Sequence, residues 1–305
     1  MKTLLILIVF VSSFHFLFGD YFCKDRHTDD QLVKFHPLRH CQRSNKSIVA
    51  VEYFRTVKEC AKFARENKAL AFNFSPTKRG MINKFEKKNK TITHYNKNKS
   101  PSGKDIIEQS EEYYNCQILQ CPELRNFSTL INDTRFDYYS AYVNPPPPEN
   151  ASCLPGVGMF IYYEKPENYS RAFNACREIN SSLADILSDL RTSSLSQLMQ
   201  SKFNSTHKEM AFVDLKEKEH NKTTLKSTFC TSYEYPLECY AYRAWSPGFP
   251  RRFKNTACVT ITTTNSWKVV PCSLKQPFIC ELFPTGPNRT VSLAKKCSIT
   301  RNNNP

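Results

Sequence analysis

Glycine is scarce in this chain, 7 in 305 residues, and no GxGxxG or GxxxxGK[ST] stretch occurs. Backbone cradles for phosphate depend on such glycines, so nucleotide-dependent chemistry is excluded early. Acidic residues are also few, 28 against 43 Lys and Arg, leaving a formal charge of +15 and a pI near 9.2. Long apolar runs are limited to the amino terminus. There MKTLLILIVFVSSFHFLFG has Lys2 ahead of an apolar stretch and ends in a small residue, Gly19. The run is broken by Ser12, Ser13 and His15 and falls short of the roughly 20 residues of a spanning helix. Residues 1–19 therefore read as a signal peptide, with no membrane span and a secreted, extracellular product beginning at Asp20.

Catalytic signatures are missing too. No nucleophile elbow, HExxH or paired catalytic carboxylate stands out. His36 and His40 lie four apart beside Cys41, but Pro37 interrupts the helix a metal pair would use, and surface histidines are the plainer reading. Asp185 and Asp189, also four apart, read as the solvated edge of a helix. No enzyme, cofactor or metal is expected, and nucleic acid is not an expected partner of an exported chain without a nucleic-acid motif.

Cysteine is plentiful by contrast: thirteen, an odd number. In an exported chain this density implies a disulfide framework rather than thiol chemistry. Twelve N-x-S/T triplets, at Asn45, Asn73, Asn89, Asn98, Asn126, Asn132, Asn150, Asn168, Asn180, Asn204, Asn221 and Asn288, fit a glycoprotein.

Four prolines, Pro145 to Pro148, favour extended polyproline II and cannot donate to a sheet. They are read as a stiff linker over 144–150 between domains at 20–143 and 151–283, with a flexible tail over 284–305. Within the first domain TVKECAKFAREN is a helix. Thr56 and Glu59 make a capping box, and Val57, Cys60 and Ala64 recur at helical spacing. ALAFNF then alternates Leu70, Phe72 and Phe74 with Ala69, Ala71 and Asn73, a half-buried strand. YYNCQIL and YYSAYV read as further strands, giving an α+β arrangement of a helix packed on a small sheet.

This arrangement resembles the PAN/apple family, whose helix carries CxxxC and whose later strands read CxAFxF and CxL. The resemblance implies that helix cysteine Cys60 pairs with Cys116. The second helix position and its strand partner are Ala64 and Ala69, as if one bridge had been lost as a pair. Between Lys78 and Lys104 nine Lys or Arg face one acid, Glu86. Lys84, Lys87, Lys88, Lys90, Lys97 and Lys99 form a candidate site for acidic glycans. A solvated loop, partly covered by glycans at Asn89 and Asn98, is the plainer alternative.

In the second domain NYSRAFNACREIN places Tyr169, Ala172, Phe173, Cys176 and Ile179 on one helical stripe. Leu195, Leu198, Met199 and Phe203 form another. AFVDL, ACVTITTT, WKVVPC and FICEL follow as strands. The order of Cys176, SSLADI, WSPGFP, Cys258, Trp267, Cys272 and Cys280 resembles the C-type lectin-like domain. That resemblance implies bridges Cys176–Cys280 and Cys258–Cys272. Cys230 and Cys239, close in sequence, read as a local pair outside the family core.

Relatives that bind sugar through calcium carry Glu-Pro-Asn or Gln-Pro-Asp in the long loop and Trp-Asn-Asp on a later strand. A hard dication needs 6 to 8 oxygen ligands. Here the triplets read Phe249, Pro250, Arg251 and Trp267, Lys268, Val269, without a side-chain oxygen, so calcium is not expected there. The same region is rich in cations and rings: Arg243, Trp245, Phe249, Arg251, Arg252, Lys254 and Lys268 are the candidate ligand-binding residues. For Trp245 simple packing of the loop is the favoured reading.

Together these features describe a secreted, calcium-independent binder of acidic glycans or extracellular proteins. A disulfide-linked structural or adhesive matrix component is the alternative. Cys23, Cys41, Cys121, Cys153 and Cys297 are left without assigned partners. One of them is expected to be free or bonded to another molecule, and Cys297 on the tail is the best candidate for a disulfide-linked dimer.

Overall fold

The computed structural model describes residues 33–76, 82–83, 113–202, 209–218, 229–251, 253 and 256–286. Residues 1–19, Cys23, the lysines of the basic loop, Phe203, Arg252, Lys254 and Cys297 lie outside the described residues.

The amino-terminal strands are β1 (His36–Arg39), β2 (Gln42–Ser44), β3 (Ile48–Glu52), β4 (Ala71–Phe74), β5 (Ile82–Asn83), β6 (Tyr113–Tyr114), β7 (Cys116–Leu119), β8 (Leu130–Asn132) and β9 (Asp137–Ser140). Helix α1 (Val57–Glu66) lies between β3 and β4. One antiparallel sheet has the order β1-β9-β4-β7-β3, while β2 pairs with β8 and β5 with β6.

Helix α1 starts at its capping box. Thr56 Oγ1 accepts from the Glu59 N–H at 3.3 Å, and the Thr56 N–H donates to the Glu59 carboxylate at 2.9 Å. Amide donors at the helix start are thereby satisfied. Cys60 and Ala64 bury against Phe72, Phe74 and Ile118, and the Cys60–Cys116 disulfide ties the helix to β7. Ala64 and Ala69 share this cluster, and the Ala69 N–H donates to the Ala64 carbonyl at 2.8 Å.

Strand β4 differs from its expected half-burial: all four residues are buried. The helix covers the Phe72 and Phe74 side, while Ala71 packs with Leu119 and Tyr138 under Leu38, Ile48 and Leu130. Asn73, which opens an N-x-S triplet, is fully buried between β2 and β7. Its Oδ1 accepts from the Ser44 N–H at 2.9 Å, and its Nδ2 donates to the Ser44 carbonyl and the Gln117 Oε1, both at 3.0 Å. That nitrogen has no room for a glycan.

The carboxy-terminal strands are β10 (Ser152–Leu154), β11 (Gly158–Glu167), β12 (Ser181–Leu183), β13 (Met210–Glu217), β14 (Phe229–Cys230), β15 (Ala257–Thr262), β16 (Trp267–Pro271) and β17 (Gln276–Leu282). The helices are α2 (Tyr169–Glu178) and α3 (Asp189–Ser201). The sheet runs β10-β11-β17-β13-β15-β16, with β12 added on β17 and β14 on β13. Asn168 caps α2 by accepting from the Arg171 N–H at 3.0 Å. Helix α2 buries Tyr169, Ala172 and Cys176, whereas Ile179, expected on the same stripe, is the C-cap residue and stands exposed. Helix α3 buries Leu195, Leu198 and Met199 against Trp267, Val259 and Ile261.

Disulfides join Cys176 to Cys280 and Cys258 to Cys272. The first closes a separation of 104 residues. On the chain-entropy account it contributes about 4.7 kcal/mol by restricting the unfolded chain. Cys230 does not bond Cys239: its thiol is free and buried, and Cys239 is disulfide-bonded elsewhere. Nearness in sequence misled here, because β14 carries Cys230 inward beside β13. An unpaired cysteine therefore exists inside the fold, and the odd count no longer calls for one on the tail.

The tetraproline segment does not hold two units apart. Pro147 is buried, its carbonyl accepts from the Arg125 N–H at 2.8 Å, and the Pro148 carbonyl accepts from the Ala151 N–H at 2.9 Å. Leu70, Ala141 and Tyr142 share a hydrophobic cluster with Met159 and Ile161. The Cys121–Cys153 disulfide crosses the same junction. Beyond β17, Thr285 exchanges backbone hydrogen bonds with Ala141 and Val143, at 3.0 and 3.1 Å.

Asn73→Ala should lower stability by about 2–3 kcal/mol in chemical denaturation, since buried partners on Ser44 and Gln117 are left unpaired. Glycopeptide mapping after expression through a eukaryotic secretory route should find Asn73 unmodified. A glycan at Asn73, or an unchanged stability, would contradict the buried network.

Candidate functional site

The loop between the short 3-10 turn at Leu237–Cys239 and β15 carries most of the candidate binding residues. Its path is set at its middle by β16. The Trp267 N–H donates to the Ala244 carbonyl at 2.7 Å, and the Ser246 N–H donates to the Trp267 carbonyl at 2.9 Å, so Trp245 and Trp267 form a short parallel bridge. The rings follow the backbone. Trp245 meets Trp267 edge-on with centroids 5.4 Å apart, Tyr242 meets Trp267 in the same manner at 5.4 Å, and Phe229 lies 5.3 Å from Trp245. Trp267 is fully buried, and its indole N–H donates to the Thr192 hydroxyl on α3 at 3.2 Å. Edge-to-face pairs of this kind add roughly 0.5–1.5 kcal/mol each beyond the area they bury.

Arg243, although exposed, staples the loop stem. Its guanidinium donates to the carbonyls of Leu237, Tyr240 and Tyr242 at 2.7, 2.5 and 2.7 Å. Partial burial pulls its pKa below the ordinary arginine value. Trp245 is likewise part of the core packing. The tip belongs to Phe249 and Arg251. The Phe249 N–H closes a turn on the Ser246 carbonyl at 2.9 Å, Gly248 takes φ +78°, and the Phe249–Pro250 peptide is cis. Phe249 rests half-buried on the Trp267 cluster. The exposed Arg251 guanidinium lies over its ring at 4.9 Å from the centroid, with Nε donating to the Gly248 carbonyl at 3.3 Å. Phe253 is also exposed. Lys268 alternates with the buried Trp267 and Val269 and so points out of the core, half-exposed. The loop thus divides its predicted residues into a packed stem, Arg243 and Trp245, and a surface tip, Phe249 and Arg251.

Residues 165–282 match the family model of the lectin C-type domain. Solved structures similar to this chain include human lithostathine, 20% identical over 45% of this chain and 98% of that one, with a TM-score of 0.37. The carbohydrate-recognition domain of the mouse scavenger receptor C-type lectin is 17% identical over 45% and 98%, with a TM-score of 0.36. A comparison with curated proteins finds no match. Residues 165–282 form a C-type lectin-like domain.

In C-type lectin-like domains that hold calcium, the ion sits between the long loop and the strand that here is β16. The residues present do not fit one. Phe249, Pro250, Arg251, Lys268 and Val269 offer no side-chain oxygen, and Trp267 is sealed in the core. The Ser246 and Ser266 hydroxyls bond one another at 2.7 Å. A hard dication requires a shell of oxygens, and a guanidinium and an ammonium oppose its charge.

Behind the sheet the C-type lectin-like domain holds a charged group that the sequence did not flag. Asp214 on β13 reads as one acid in an apolar strand, yet it is buried and accepts from the Ser232 N–H and hydroxyl at 2.9 and 2.8 Å. Desolvation, assisted by the Asp185 and Glu281 charges, raises its pKa to about 6. Glu281 is also raised by burial, against the opposing pull of Arg191, with which it forms an ion pair. Asp185, expected on a helix edge, precedes α3 and shapes a turn. Its Oδ1 accepts from the Leu187 N–H at 2.7 Å and its carbonyl accepts from Arg191 at 2.8 Å. Asp189 opens α3, where the Tyr242 hydroxyl reaches it at 3.5 Å.

Because the folded state holds the Asp214 proton more tightly than the unfolded chain, stability should fall as pH rises from about 4 to about 6. The loss should be on the order of 3 kcal/mol, and stability should then level off with respect to this group. Urea denaturation across that range should show the decline, and Asp214→Asn should flatten it. A slope unchanged in the variant would contradict the assignment.

Proposed function

We propose that this protein is a secreted recognition molecule whose C-type lectin-like domain binds acidic glycans or an extracellular protein without calcium. The observation that carries the reading is the loop tip: Arg251 is exposed over the ring of Phe249, which itself rests on the Trp267 core. A guanidinium backed by an aromatic ring presents several N–H donors in one plane, suited to a sulfate or carboxylate. Arg252 and Lys254 follow directly in sequence, and Lys268 supplies a further outward cation on β16. The absence of side-chain oxygens at the long-loop and β16 triplets supports independence from calcium. No catalytic role is assigned to any residue.

In this reading the amino-terminal unit is a PAN/apple-like module, supported by a helix laid on an antiparallel sheet and tied to it by Cys60–Cys116. The basic loop over residues 78–104 adds an electrostatic contribution to acidic polymers.

Heparin affinity tests the proposal. Retention should be unchanged by EDTA, weakened by salt, and shifted to lower salt by Arg251→Ala combined with Arg252→Ala. Retention that needs calcium, or that ignores both salt and these substitutions, would contradict it.

A further inference from the structure

A cleft of about 540 Å³ opens where α2 faces the ends of β13 and β15. It borders the hydrophobic cluster of Tyr169, Phe212, Cys258 and Cys280 rather than the Trp267 cluster that carries the long loop. Its floor is Tyr169, 6% exposed and held edge-on by Phe212 with centroids 5.5 Å apart. The Tyr169 hydroxyl is itself enclosed and has no hydrogen-bond partner among the described residues. Nearly all buried hydroxyls in folded proteins are bonded, so this one is an exception lying beneath the cleft floor, while the tyrosine ring and the side chains around it form the lining.

The remaining lining gives the ligand's chemistry. Lys216, half-buried, stands in register between Cys230 on β14 and Cys258 on β15. It forms no ion pair among the described residues, whereas nearby Lys218 meets Glu234 at 3.6 Å. The Ser232 hydroxyl spends its proton on Asp214 at 2.8 Å, which leaves its lone pairs to accept. Asn174 and Thr256 add an amide and a hydroxyl, and Phe173 adds a half-buried ring. Neutral hydroxyls and an amide match the alternating donors and acceptors of a polyol. A ring matches the apolar face of a pyranose, and an ammonium with no ion pair among the described residues matches one anionic substituent. The volume suits a ligand of one or two sugar units.

We propose that the cleft formed by Tyr169, Phe173, Asn174, Lys216, Ser232 and Thr256 is a second binding site, taking a single carboxylated sugar unit with its carboxylate toward Lys216. The site is independent of the Arg251 tip, so either can fail without the other. Asn168 caps α2 beside the cleft and opens an N-x-S triplet. A glycan there would crowd the mouth. The test therefore uses the full chain carrying Asn168→Asp, which keeps the capping oxygen and removes the acceptor nitrogen.

Methyl β-D-glucuronide and methyl β-D-glucoside are titrated against this protein by saturation-transfer NMR. The glucuronide should bind saturably and more tightly than the glucoside. Lys216→Met should weaken the glucuronide about tenfold and leave the glucoside nearly unchanged. Tyr169→Phe should leave both affinities within about twofold, because the hydroxyl is enclosed beneath the cleft and out of a ligand's reach. Arg251→Ala should change neither. Equal affinity for the two sugars, no saturable signal, or glucuronide binding insensitive to Lys216→Met would each overturn the proposal.

Discussion

The burial of Trp267 is the constraint on which the C-type lectin-like domain turns. A large aromatic at zero exposure fixes β16 against α3 through its indole bond to Thr192, and its own backbone N–H and carbonyl then dictate where Ala244 and Ser246 must run. Trp245 and Tyr242 pack edge-on against it, so the stem of the long loop is effectively a further element of the core. A loop this long normally has too few internal contacts to hold one shape. Here backbone pairing, stacked rings and the Arg243 staple perform that task. The exposed tip, Phe249 with Arg251 above it, is thereby presented in a defined orientation, which lowers the ordering cost of binding.

The junction between the two halves follows a similar logic. Four prolines in a row would ordinarily extend and separate what they connect. In this chain the carbonyls of Pro147 and Pro148 accept hydrogen bonds, and the cluster of Leu70, Tyr142, Met159 and Ile161 draws the flanking strands together. Cys121–Cys153 and the return of Thr285 onto Ala141 and Val143 close the arrangement.

What could be read from the sequence was whatever obeys local rules. The Thr56–Glu59 capping box placed α1 and helical spacing placed the buried faces of α2 and α3, apart from the exposed Ile179, while Cys176–Cys280 and Cys258–Cys272 came from the resemblance to the C-type lectin-like domain. What escaped depends on which elements meet. The alternation of β4 gave no sign that its second face would also be covered, so Asn73 read as a surface sequon rather than a buried tie to Ser44. Cys230 and Cys239 are near in sequence, but the pairing of β14 with β13 turns Cys230 inward. Arg243 carried the same weight as Arg251 in a list of cations, and only the carbonyls gathered around it reveal that it is occupied. Asp214 belonged to no motif, and Tyr169 read only as one member of an apolar helical stripe. A lone acid in an apolar strand and the first residue of a helix become notable only once burial leaves one with a raised pKa and the other without a hydrogen-bond partner among the described residues.

The central claim is that packing on Trp267, rather than a metal ion, orders the long loop. Amide hydrogen exchange of the full chain, with calcium and with EDTA, tests it directly. The account predicts that the Ser246 and Trp267 amides, both bonded across the loop stem, stay equally protected in the two conditions. Loss of protection at these two amides on removing calcium would contradict it.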